Sequence, residues 1–149
     1  MEQRFERFTA LMIGINRSIR RIKNEEMAEY DLKAPHVACL YYLRTRGRLT
    51  LKELCEICEE DKANLSRTLD ALEEQGYISC ISESSRRYRS PYILTEKGIS
   101  LGDYIFERIN MVLAKSSDGI SPEELEIMYS CLDRVSSNLF RICEELSDK

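Results

Sequence analysis

The chain has 149 residues, 43% of them hydrophobic and 32% charged, with a net charge of -4. That suits one compact domain burying roughly two thirds of the surface its unfolded form exposes, and excludes an intrinsically disordered chain. The longest apolar run near the start, ALMIGI at 10–15, is too short for a signal h-region or a membrane span, so a cytoplasmic protein with no membrane contact is expected, its six cysteines reduced.

In chain order, Phe5, Phe8, Met12, Ile15, Ile19 and Ile22 recur at spacings of three and four, which draws one apolar stripe along a first helix. APHVACLYYLRTRG at 34–47 reads as a second helix, with Pro35 at its first position, Val37, Leu40, Tyr41 and Leu43 turned inward, and Gly47 as a stop. The only histidine, His36, is expected to be a surface or packing residue at its start. RTRGR at 44–48 carries three arginines and no acid, and a short strand follows near 48–50. Thr50 and Glu53 then form a capping box, so another helix begins at about Leu51.

CEIC at 55–58 invites a metal or redox reading. Leu51, Leu54, Cys55 and Cys58 fall at i, i+3, i+4 and i+7, however, which places both thiols on that helix's buried stripe as small hydrophobes. A structural zinc site needs four ligands, and no second Cys-x-x-Cys or histidine pair is present to complete one. No metal or cofactor is expected.

Asp61 caps the next helix, DKANLSRTLDALEEQGY at 61–77, and the two short helices make a helix-turn-helix. Its charges run against the helix dipole: Lys62 and Arg67 lie near the start, while Asp70, Glu73 and Glu74 crowd the end. At 100° per residue, Leu69 and Leu72 fall within about 40° of Leu65, so Ala63 and Arg67 point outward with Asn64 and Ser66 on the flanks. Arginine reads guanine, asparagine reads adenine and serine reads several partners in the major groove. Lys62 can grip a phosphate. If only the first half of the helix enters the groove, the acids stay outside it.

YISCISESSRRYRSPYILT at 77–95 has strand chemistry in Ile78, Ile81, Tyr92 and Ile93, with SESS as turn material and Pro91 suited to an edge. Arg86, Arg87 and Arg89 crowd the tip of this hairpin, where arginine can reach phosphates or a narrow minor groove. Helix, short strand, helix-turn-helix and basic hairpin together give the order of a winged helix.

A helix over 96–115 follows, with Leu101, Ile105, Ile109 and Val112 on one side. The last opens at SPEE, where Ser121 and Glu124 form a capping box and Pro122 suits the first turn. Leu125, Met128, Leu132, Val135, Leu139, Ile142 and Leu146 extend its stripe, and residues 121–149 hold seven acids against three bases. The two terminal stripes suit either the core of a monomeric bundle or seams that bury a partner subunit. No nucleophile stands paired with the lone histidine and no Gly-rich phosphate loop is present, so no enzyme is expected.

EEDKANLSRTLDALEEQGYI at 59–78, together with RRYRSPYILTEKG at 86–98, resembles the MarR family of bacterial transcriptional regulators, and the helix order is similar over essentially the whole chain. The resemblance implies a mainly α fold with a small β-hairpin wing: a single domain over 1–149, with a winged helix-turn-helix at 34–95 flanked by dimerisation helices at 1–30 and 96–146. It implies a homodimer on the two half-sites of a palindromic operator in double-stranded DNA, with Asn64, Ser66 and Arg67 on bases. Lys62 and the wing arginines Arg86, Arg87 and Arg89 then hold phosphate or the minor groove. Phe5, Phe8, Met12, Leu125, Met128, Leu132, Val135 and Leu139 are expected in the dimer interface. The resemblance also implies a repressor that releases DNA when a small aromatic or anionic effector binds.

The family wing commonly holds an aspartate just before its arginine. Here SSRRYR has none, Glu83 being the nearest acid, so all three arginines stay candidates for the groove. A thiol- or metal-responsive sensor of the same fold and a winged-helix module that binds protein remain the alternatives. Against the first, no cysteine precedes Cys39, whereas the family's peroxide sensors usually carry theirs in the first helix.

Overall fold

The computed structural model describes residues 2–58, 60–81 and 90–147, the side chains of Glu2 and Phe5 excepted. The described chain runs α1 (Glu2–Glu26), a 3-10 turn (Ala28–Tyr30), α2 (Ala34–Arg46), α3 (Leu51–Cys58), α4 (Lys62–Glu74), β1 (Ile78–Cys80), β2 (Tyr92–Leu94), α5 (Glu96–Ser116) and α6 (Pro122–Ser147). It is mainly α with a small hairpin, as expected. Two compact units divide it, Met1–Arg108 and Ile109–Lys149. No helix of the described residues is long and apolar enough to cross a membrane.

In the first unit the core gathers Val37, Cys39, Leu40 and Leu43 of α2, Leu51 and Leu54 of α3, Leu65, Leu69 and Leu72 of α4, and Leu101 and Ile105 of α5. These are mostly the inward positions the spacing predicts. The two thiols of α3 differ: Cys55 and Cys58 are only half-buried. The helix has eight residues, so Leu51 and Leu54 anchor it while its last turn runs out to the rim of the core. Thr50 and Glu53 do form the capping box, with the Thr50 N–H donating to Glu53 Oε2 at 2.7 Å and the Glu53 N–H to Thr50 Oγ1 at 3.3 Å.

The start of α2 is held in a way its own first residues do not announce. Asn24 Oδ1, on α1, accepts the Ala34 N–H at 2.7 Å, and the His36 ring accepts the Lys33 N–H through Nδ1 at 3.1 Å. Pro35 falls at the second helical position, one later than expected, where its missing N–H is still one the helix could not have used. Burial lowers the His36 pKa below its usual 6.5, because the charged ring loses hydration and a protonated Nδ1 no longer accepts.

With the folded pKa depressed, the unfolded chain binds the proton first, so this contribution is whole above pH 6.5 and is lost as pH falls below it. Urea midpoints of the native chain should therefore drop between pH 7.5 and 5.5 by more than those of His36→Gln. Parallel curves would contradict the linkage.

β1 and β2 pair antiparallel with Ile78 opposite Leu94, Ser79 opposite Ile93 and Cys80 opposite Tyr92. The stretch expected as a strand near 48–50 is a single bridge, Leu49 to Tyr92, with N–H to O distances of 3.2 and 2.8 Å. The tip that joins β1 to β2, with Arg86, Arg87 and Arg89, lies outside the described residues. Thr95 caps α5, its hydroxyl accepting the Gly98 N–H at 3.1 Å and donating to the Gly76 carbonyl at 2.6 Å. Arg108 clamps Glu26 with two bonds of 2.6 and 2.7 Å, tying α5 to the end of α1.

In the second unit α6 opens on the expected box, Ser121 N–H to Glu124 Oε2 at 2.8 Å and Glu124 N–H to Ser121 Oγ at 3.2 Å. None of its described residues is buried. Leu125 and Leu132 are half-buried, whereas Met128, Val135 and Leu139 are exposed, as is Phe140 at 66%. α1 carries a similar face: Phe8, Ile15 and Ile19 are exposed and Met12 is half-buried.

Candidate nucleic-acid interface

α4 starts at Lys62 because Asp61 caps it, Oδ1 accepting the Asn64 N–H at 2.9 Å. Leu65, Thr68, Leu69 and Leu72 turn into the core, which leaves Lys62, Ala63 and Arg67 exposed and Asn64 and Ser66 half-buried on either side. The four side chains expected to meet DNA thus share the first two turns. Arg67 has no ion-pair partner among the described residues.

Asn64 is anchored more firmly than its neighbours. Its side-chain amide nitrogen donates to Glu60 Oε2 at 2.6 Å, and its backbone carbonyl accepts the Thr68 hydroxyl at 3.0 Å. Sequence reasoning passed over Glu60 because it precedes the cap. The signal was the i, i+4 interval between a carboxylate and an amide, which applies across a helix start as well as within a helix.

The reversed charge order of α4 is offset from outside the helix. Gly76, at φ 77, ends it, and Lys97 of α5 donates to the Gln75 carbonyl at 2.7 Å while its ammonium stands 4.3 Å from the centre of the Tyr77 ring. The cation that α4 lacks in its own last turn is therefore supplied by another helix. Glu73 also has a structural task, since its Oε1 accepts the Cys80 N–H of β1 at 3.2 Å. α4, β1 and α5 are joined at this corner.

Of the basic run at 44–48, Arg44 is paired with Asp103 and Arg46 lies over the Tyr42 ring at 5.4 Å. Arg48 is exposed.

A cavity of about 190 Å³ opens between α1, α2 and the end of α3, with Asn16, Arg20, Lys23, Pro35, Cys58 and Glu60 in its wall. The Cys39 thiol, which is buried, is pushed well up by its hydrogen bond to Cys58 and by burial; the same bond pulls Cys58 down. Burial lowers the nearby Lys23 as well. No group of three or more metal-binding side chains occurs among the described residues.

Comparison with known proteins agrees with this geometry. The sequence model of the MarR family matches residues 30–87, from the 3-10 turn into the wing. The HTH-type transcriptional regulator YwoH of Bacillus subtilis is 29% identical over 136 residues, 89% of this chain and 92% of that one. YfiV, an HTH-type transcriptional regulator from the same organism, is 28% identical over 115 residues, covering 76% and 71%. Among solved structures, a MarR family regulator from Listeria monocytogenes in complex with a 26mer DNA superposes with a TM-score of 0.81 at 22% identity, covering 88% of this chain and 87% of that one. In its winged helix-turn-helix, with the exposed first turns of α4, the chain is similar over residues 30–87 to the MarR family of transcriptional regulators, and it shares the fold of their solved structures.

Proposed function

We propose that the chain is a homodimeric repressor that reads a palindromic operator with the first two turns of α4 and releases it when a small anionic effector binds. Residues 34–95 form the DNA-binding lobe, and 1–30 with 96–146 the dimerisation lobe. The observation that carries base reading is the exposed Ala63 and Arg67, flanked by Asn64 and Ser66, on a helix whose opposite side is wholly core. Lys62 and the wing arginines Arg86, Arg87 and Arg89 add phosphate or minor-groove contact.

Dimerisation is supported by the bare apolar stripes of α1 and α6, where Phe8, Met128, Val135 and Leu139 are more than a third exposed and a second copy would cover them. Effector binding is supported by the cavity that carries Arg20 and Lys23; repression follows from the resemblance. Fragments selected from genomic DNA should share an inverted repeat with half-site centres roughly 10 base pairs apart. Affinity should fall with salt by about 0.9 log units per phosphate contact for each tenfold increase. A folded dimer without salt-sensitive DNA affinity would instead identify a protein-binding module.

A second reading, a thiol-responsive sensor of the same fold, is favoured by the Cys39–Cys58 hydrogen bond beside Lys23. Titration of the native protein with a thiol reagent should modify the exposed Cys131 and Cys143 first, then Cys58, and Cys39 last. Cys58 reacting as slowly as Cys39 would dismiss the sensor.

A further inference from the structure

One bond holds the Asn64 side chain: its amide nitrogen donates to Glu60 Oε2 at 2.6 Å. Its backbone N–H and carbonyl are engaged separately, with Asp61 and with the Thr68 hydroxyl. A carboxylate only accepts, so Glu60 decides which way the amide faces: Nδ2 toward the carboxylate, Oδ1 away from it. One amide hydrogen is consumed. The other remains with Oδ1, and together they are the donor and acceptor that adenine asks for at N7 and its exocyclic N6 amine. A free amide could turn over and offer the pair in the opposite order.

We propose that Glu60 is a positioning residue for base recognition, holding the Asn64 amide in the single orientation that sets a preference for adenine at one position of each half-site. This rests on the reading of α4 as the groove helix. It also assigns a role to an acid that lies just outside the N-terminus of a DNA-binding helix, where its charge suits the helix dipole but repels phosphate. Orientation and charge make separable contributions, and substitutions can divide them.

Affinities of the native dimer and of E60A, E60Q, E60D and N64A should be measured on the selected operator, on operators substituted at each position, and on random DNA. N64A should lose between about fivefold and hundredfold of discrimination at one position of each half-site. E60A should lose about tenfold at that same position while binding random DNA more tightly, a carboxylate having gone. E60Q keeps an acceptor but adds a donor that can hold the amide turned over, so it should show the same rise on random DNA with a smaller loss of preference than E60A. E60D keeps the charge but withdraws the acceptor, so it should lose the preference with random binding unchanged. If N64A removes the preference and both E60A and E60D keep it, the positioning role is overturned while the groove helix stands. If N64A changes no position although Arg67→Ala does, the proposal fails because Asn64 reads no base, and if neither variant affects discrimination it fails with the groove-helix reading itself.

Discussion

Gly98→Ala should destabilise the protein by about 3 kcal/mol, the upper end of what overpacking usually costs. A Cβ at this position would overlap the carbonyl oxygen of Tyr77 and stand 2.9 Å from its carbon. The carbonyl cannot easily retreat, because it accepts the Thr95 N–H at 3.0 Å while the Tyr77 N–H is held by Leu72 O at 2.9 Å. The first turn of α5 would have to lift instead. That movement strains the Thr95–Gly76 and Lys97–Gln75 bonds, so α5 loses its cap and the end of α4 its compensating cation together.

DNA affinity should fall with stability, although residue 98 lies on α5 and outside the proposed recognition face. Gly14 provides the control: an added Cβ there meets nothing within 4 Å, and alanine in an exposed helix is favoured over glycine by roughly 1 kcal/mol. Urea denaturation of both variants checks the pair. An unchanged midpoint for Gly98→Ala would contradict the close approach of α5 to Tyr77.

Arg67→Ala should reduce operator affinity by about 1 to 3 kcal/mol per half-site, and by roughly twice that for a dimer engaging two. Arg67 is exposed and has no ion-pair partner among the described residues. Its removal therefore leaves no buried charge behind, and alanine is a better helix former, so the fold should be intact. The loss should concentrate on the operator, most strongly at one guanine of each half-site, because a bidentate arginine pair is the chief contact of that kind. Random DNA should lose far less. Equal losses on both, measured by titration at one fixed salt concentration, would make Arg67 a phosphate contact and remove the base-reading role.

What the sequence made legible was local. The Thr50–Glu53 and Ser121–Glu124 boxes and the Asp61 cap each link residues three apart, and the leucines of α4 follow from the helical period alone. The features that fasten α1, α2, α4 and α5 to one another were not legible, because their partners are distant in the chain. Lys97 reaches Gln75 from 22 residues away, Asn24 caps α2 from ten away, and Glu26 meets Arg108 across 82. Gly98 looks like any helical glycine until Tyr77 is packed against it. The thiols of α3 show a subtler limit: the period places Cys55 and Cys58 on the inward stripe, but it cannot say where a short helix passes beyond the cover of its neighbours. Glu60 lies four residues before Asn64, an interval legible in the sequence, but it stands ahead of the Asp61 cap and so outside the helix that the cap marks.

Guanine N7 methylation interference on a selected operator fragment tests most directly whether the start of α4 lies in the major groove twice over. Methylated guanines that block binding should form two clusters in the major groove, related by the operator's dyad and centred roughly 10 base pairs apart. A single cluster, or binding indifferent to N7 methylation and sensitive only in the minor groove, would contradict it.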